Sequence, residues 1–159
     1  MDPLLQLLEG NALLTPDRLG QMLGVSPAEI RRRIDAWEKS GVILGYRAVI
    51  NDDQLDLQRV KAVIEVRITP EREGGFDRVA ERIAKFEEVT SCFLMSGGYD
   101  ILIFIEGRTL QEVAAFVASK LATLDRVQST ATHFILKTYK EQGIAMAVAP
   151  REERMAVAP

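Results

Sequence analysis

The chain has 159 residues, 47% hydrophobic and 27% charged, which suits one ordinary domain or two small ones and excludes a disordered chain. No apolar run approaches the roughly 20 residues that span a bilayer, and the opening M-D-P-L-L-Q lacks the basic and apolar regions of a signal peptide. A cytoplasmic protein with no membrane partner is therefore expected. The formal charge of −3 argues against a protein that coats nucleic acid regardless of sequence. Cys92 is the only cysteine and His133 the only histidine, which excludes an intrachain disulfide and a multi-cysteine zinc site and removes most metal and triad chemistry. No metal, cofactor or catalytic residue is assigned.

Pro3 to Leu8 carries Leu4, Leu5, Leu7 and Leu8 and reads as a short helix closed by Gly10-Asn11. Thr15 to Leu23 opens with a Thr cap and Pro at the next position, and Leu19, Met22 and Leu23 are expected inside. Ser26 to Ser40 starts the same way, with Ser26 as cap, Pro27 at the first helical position and Glu29 near the positive helix end. Ile30, Ile34 and Trp37 keep one face of that helix apolar, while Ala28, Arg31, Arg32, Asp35 and Lys39 fall on the other, and Gly41 supplies the stop. Two capped helices joined through Gly24-Val25 read as a helix-turn-helix, or as an amphipathic pair with a solvated charged face. Residues 1–50 hold six basic and six acidic residues, but half of the basic ones are consecutive at Arg31 to Arg33, which focuses positive potential on one helix.

After Gly41, V-I-L-G-Y-R-A-V-I-N is expected to form a small wing hairpin around Gly45, with Arg47 near its turn. Asn51 to Gln58 is polar and acidic and reads as a linker. Val60 to Thr69 then alternates as a strand, 70–75 is a loop, and Phe76 to Phe86 is a helix whose Phe76, Val79, Ala80 and Ile83 share a face. Val89 to Met95 is a second strand, Ser96 to Tyr99 a tight turn and Asp100 to Glu106 a third strand. Leu110 to Leu124 is a helix burying Leu110, Val113, Ala114, Val117 and Leu121, and Val127 to Tyr139 a last strand. This order is the ferredoxin-like βαββαβ arrangement. Because I-L-I-F-I in the third strand is apolar on both faces, the side of the sheet away from the helices needs a cover, and a homodimer, with larger rings or tetramers, is expected. From Gln142 the chain repeats M-A-V-A-P at Met146 to Pro150 and Met155 to Pro159, read as a frayed tail or as an arm for a neighbouring subunit.

The expected fold class is thus α+β: an N-terminal winged helix-turn-helix (1–50), a linker (51–58), a ferredoxin-like domain (59–141) and a C-terminal tail (142–159). This organisation resembles the Lrp/AsnC family of amino-acid-responsive transcription regulators over roughly Leu4 to Tyr139. The residues that carry the resemblance are L-x-x-x-L-G-V-S and I-x-x-R-I-x-x-W-E-x-x-G-V-I-x-G-Y between Leu19 and Tyr46, then S-G-G-Y-D followed by I-L-I from Ser96 to Ile103. Trp37 stands where the family more often has leucine. The resemblance implies that the second domain assembles dimers into higher oligomers and binds small effectors near the turn between its second and third strands. Carried over, the effector candidates are Met95, Ser96, Gly97, Gly98, Tyr99 and Asp100, where glycine amides would receive a carboxylate and Asp100 an ammonium group.

The functional expectation is a sequence-specific regulator of double-stranded DNA whose oligomeric state or DNA binding responds to a small molecule, an amino acid. Pro27, Ala28, Arg31 and Arg32 would approach base edges, and Arg33, Lys39, Arg18 and Arg47 would meet phosphates. Three alternatives stand beside it: an effector-independent architectural DNA-binding protein, a free-standing effector module with a purely structural helix-turn-helix, and an enzyme like the sirohaem decarboxylases. The last would have to use His133, which is expected to be an ordinary strand residue.

Overall fold

The computed structural model describes residues 1–55, 59–70 and 75–146. Linker residues 56–58, loop residues 71–74 and tail residues 147–159, which hold both M-A-V-A-P repeats except Met146, lie outside them. The chain divides into two compact units between Ala48 and Val49.

The first unit holds α1 (Pro3–Gly10), α2 (Pro16–Leu23) and α3 (Pro27–Ser40). Each begins with a side-chain cap and a proline in the first turn. Asp2 accepts from the Leu4 amide at 2.8 Å, Thr15 from Arg18 at 3.3 Å and Ser26 from Glu29 at 3.2 Å, so one orphan amide per helix is satisfied. Gly24 and Gly41 end α2 and α3 in the left-handed conformation, at φ of 70° and 75°. Leu4, Leu8, Leu19 and Ile30 form the buried centre, with Ile34 and Trp37 packed against it.

Met22, expected inside, is half exposed. The inner face of α2 instead runs through Leu19, Gly20 and Leu23. The turn into α3 presses so close to α2 that a Cβ on Gly20 would lie 2.6 Å from the Val25 carbonyl oxygen, leaving room only for glycine. The expected wing hairpin is also not formed, because residues 42–51 contain no strand. Gly45 does not take up positive φ, which two-residue hairpin turns require. Tyr46 instead folds back on α3 and donates its hydroxyl to Glu38 at 3.0 Å.

The second unit holds β1 (Val60–Ile68), α4 (Asp77–Ala84), β2 (Val89–Leu94), β3 (Ile101–Gly107), α5 (Leu110–Phe116) and β4 (Val127–Phe134). The four strands form an antiparallel sheet in the order β2-β3-β1-β4, the ferredoxin-like arrangement. The alternation in β1 comes out as read: Ala62, Ile64, Val66 and Ile68 are buried beside Ile101, Ile103 and Ile105 of β3. Val79 and Ile83 of α4 and Val113 and Phe116 of α5 close over that face.

Three elements differ from the sequence reading. The helix expected to reach Leu124 turns π-helical at Val117–Leu121. The Ser119 hydroxyl donates to the Ala115 carbonyl at 2.6 Å and the Thr123 hydroxyl to those of Ser119 and Lys120 at 3.0 Å, back-bonding that competes with the regular ladder. Leu110 and Ala114, expected inside, are exposed on α5. The last strand stops at Phe134, opposite Ala62, where β1 has almost run out of partners. The chain then makes a small hairpin, β5 (Lys140–Glu141) with β6 (Ile144–Ala145), so order continues past Gln142, where fraying is expected from sequence. Asn51 ties that hairpin down by donating to the Met146 carbonyl at 2.8 Å. Asp52, in a single 3₁₀ turn, pairs with Lys61 at 2.7 Å.

Candidate nucleic-acid interface and effector turn

The exposed face of α3 carries Ala28, Arg31, Arg32, Asp35 and Lys39, all open to solvent, with Pro27 partly covered at its first turn. The three consecutive arginines have three different surroundings. Arg31 has no ion-pair or hydrogen-bond partner among the described residues. Arg32 grips Glu29 with two hydrogen bonds, at 2.8 and 2.7 Å. That pair holds the Glu29 carboxyl below its ordinary pKa and raises the guanidinium's, chiefly through the hydrogen bonds themselves. Arg33 is half-buried, forms an ion pair with Asp2 and lies over the Trp37 ring at 5.3 Å. It ties α1 to α3. Lys39 is exposed in the last turn, Arg18 is exposed and reaches Gln21 at 3.5 Å, and Arg47 is exposed on the extended segment after α3.

The 95–100 turn, the candidate effector site, is built on a strand junction. The Met95 amide donates to the Asp100 carbonyl at 2.8 Å, closing a loop in which Gly97 sits at φ 145°. Met95, Ser96, Gly97 and Gly98 are exposed, and Tyr99 and Asp100 partly covered. No hydrogen bond reaches the amides of Gly97 and Gly98 among the described residues. The Asp100 side chain is already at work: its Oδ2 accepts from the Ile68 amide at 2.8 Å, standing in for a strand carbonyl where the β1–β4 register shifts. One oxygen is left for any ligand.

On the sheet face away from α4 and α5, Val63, Leu102 and Phe104 are partly covered, and Phe93 is exposed with its ring 6.2 Å from that of Phe104. His133 lies on the same face, exposed, with Nε2 3.4 Å from Glu65 Oε1. Among the described residues no three His, Cys, Asp or Glu side chains gather as a metal site would need, and no helix is long and apolar enough to cross a membrane.

Residues 61–145 match the Lrp/AsnC ligand binding domain. Over 157 residues the chain is 43% identical to an uncharacterised HTH-type transcriptional regulator of Bacillus subtilis, YugG, a match covering 98% of this chain and 95% of that protein. The chain belongs to the Lrp/AsnC family. Among other relatives of this Lrp/AsnC protein is the leucine-responsive regulatory protein of Haemophilus influenzae, 28% identical over 87% of this chain and 82% of that one. A transcriptional regulator of Neisseria meningitidis solved as its L-Met complex is 28% identical, with a TM-score of 0.69 over 89% of this chain and 93% of that one. Escherichia coli AsnC is 26% identical, with a TM-score of 0.67 over 91% and 97%. The coarse function follows from membership: transcription regulation by a DNA-binding protein.

Sequence reasoning missed Gly20, although a glycine inside a helical pattern is a signal of close backbone approach. It also missed the Glu88–Lys120 pair, whose members lie 32 residues apart.

Proposed function

We propose that this chain is a sequence-specific regulator that lays α3 in the major groove of double-stranded DNA and answers to an amino acid bound at the 95–100 turn. The observation that carries the reading is the exposed Ala28–Arg31–Arg32–Lys39 face on a helix whose inner face and both ends are fixed by the core and caps. Arg31 and Arg32 suit base edges, since a guanidinium bonds two acceptors of guanine at once, worth about 1–3 kcal/mol of discrimination. Arg32 would exchange Glu29 for a base. Lys39, Arg18 and Arg47 suit phosphates, which position without specifying. Arg33 is the least available of the eight candidates, because Asp2 already holds it.

Exposed glycine amides at 97 and 98 suit a carboxylate, and the free oxygen of Asp100 an ammonium group. An effector acts on DNA binding only through its differential affinity for two arrangements of the protein, so self-association is part of the reading. The apolar face of Val63, Phe93, Leu102 and Phe104 supports a homodimer, from which higher oligomers are assembled.

Footprinting across genomic DNA, with and without pooled amino acids, tests operator and effector together. Protected half-sites at regular spacing, altered by at least one amino acid, are expected. Protection that no amino acid changes would remove the effector from the reading, and no protection at low salt would remove DNA. Sedimentation showing a concentration-independent monomer would sink the oligomer.

A further inference from the structure

The first turn of α3 opens with Ser26-Pro27-Ala28-Glu29, a pattern in which the glutamate ordinarily turns back to bond the amide of the cap residue. Half of that arrangement is present, since Ser26 Oγ accepts from the Glu29 amide at 3.2 Å. The Glu29 carboxylate turns forward instead. Its Oε2 accepts from Arg32 Nε at 2.8 Å and its Oε1 from Arg32 Nη2 at 2.7 Å. The side chain that could finish the cap is thus engaged with an arginine of the exposed face. The Arg32 side chain is 70% exposed and that of Glu29 37%, so both can be reached from a groove laid against the helix.

An exposed ion pair three residues apart on a helix contributes little to stability, so a ligand that offers each side chain another partner takes it apart easily. When Arg32 passes to guanine, the Glu29 carboxylate is left at the DNA surface among phosphates and needs a donor. The major groove offers two, the N4 amino group of cytosine and the N6 amino group of adenine. On adenine the N7 acceptor stands beside N6 and would oppose the second carboxylate oxygen, whereas cytosine presents its donor without an acceptor of its own. Residues three apart on a groove-bound helix reach successive bases in zinc fingers. The rise between two such residues, about 4.5 Å, is close to the roughly 3.4 Å between base pairs.

We infer that Glu29 is a second specificity-determining residue of α3, accepting from the N4 amino group of a cytosine in the base pair next to the guanine taken by Arg32. The inference rests on the reading of α3 as a major-groove helix with Arg32 on guanine. Free in solution the two side chains satisfy each other, and on the matching step each passes to a base edge. On other steps Glu29 is left without a donor and its charge opposes the phosphates, so the same residue penalises wrong sequences.

Selection from a random duplex library by the full chain tests it, as wild type and as Arg32→Ala, Glu29→Ala and Glu29→Gln. The urea transition of Trp37, the only tryptophan, confirms that each variant is folded. Arg32→Ala should relax the preference for one guanine, and Glu29→Ala that for the cytosine beside it, each by about fivefold or more. Glu29→Ala should also bind random DNA more tightly. Glu29→Gln should move the preference at that position from cytosine toward adenine, because an amide bonds N6 and N7 together. Glu29→Ala that keeps every base preference, or that relaxes only the guanine of Arg32, would overturn the inference. No enrichment by the wild type, or Arg32→Ala enriching the wild-type sequence, would instead strike the reading of α3, and the inference with it.

Discussion

Replacing Gly20 by alanine tests whether the helix-turn-helix is held as tightly as the structure shows. The added Cβ would stand 2.6 Å from the Val25 carbonyl oxygen, a backbone atom, with the Pro27 nitrogen at 3.5 Å. Real contacts of this kind do not fall below about 3 Å, so the turn between α2 and α3 has to move. Overpacking of this sort costs about 1–3 kcal/mol, while alanine gains about 1 kcal/mol over glycine in a helix interior. The net expectation is a loss of up to about 2 kcal/mol. Gly10→Ala is the internal control: it ends α1, its added Cβ would meet nothing within 4 Å, and its stability should stay level or rise by up to about 1 kcal/mol. Trp37 is the only tryptophan and packs on the core of this unit, so its fluorescence during urea unfolding reads the first unit separately from the second. Gly20→Ala as stable as Gly10→Ala would show that the close crossing of α2 and the turn is wrong.

Two further substitutions address the second unit. Asp100→Ala removes the acceptor of the Ile68 amide and should cost about 1–2 kcal/mol, with faster hydrogen exchange at Ile68, whereas Asp100→Asn keeps an acceptor oxygen and should recover most of the loss. Exchange at Ile68 unchanged in Asp100→Ala would count against that bond. The Lys120 ammonium, chiefly through its hydrogen bond, holds the Glu88 carboxyl below the ordinary glutamate value of 4.5. A carboxyl with a lowered folded pKa stabilises the fold above its unfolded pKa, and that stabilisation fades as pH falls through the lowered one. Carbon-detected titration of Glu88 should therefore show a midpoint below 4.5 that returns upward in Lys120→Met. A midpoint unmoved by that substitution contradicts the pairing.

What was legible from sequence is what local chemistry determines. Ser26-Pro27 and Thr15-Pro16 announce helix starts because cap oxygen and fixed φ act within four residues, and both starts are where they were read. The alternation of β1 was legible because one face is buried and the period is two. The failures share a cause: they depend on a partner far along the chain or on close backbone geometry. Met22 is turned outward because Gly20 takes the contact. The apolar runs around Gly45 look like strands, but the local pattern says nothing of the Tyr46–Glu38 bond that folds them back. Arg33 was read as a phosphate contact, and its contacts with Trp37 and with Asp2, 31 residues away, are what the local pattern does not show. The β5–β6 hairpin is two residues per strand, too short for a periodic signal.

The central claim is that α3 reads DNA through Arg31 and Arg32 while Arg33 holds the fold. Measuring the slope of log affinity against log salt for an operator duplex, in wild type and in Arg31→Ala, Arg32→Ala, Lys39→Ala and Arg33→Ala, tests it most directly. Lys39→Ala should reduce the slope by about 1, as the loss of one phosphate contact does. Arg31→Ala and Arg32→Ala should lose about 1–3 kcal/mol of preference for operator over random DNA. Arg33→Ala should lower the urea midpoint of the Trp37 transition and leave the operator preference of the folded protein in place. Undiminished operator binding by folded Arg31→Ala and Arg32→Ala would contradict the account.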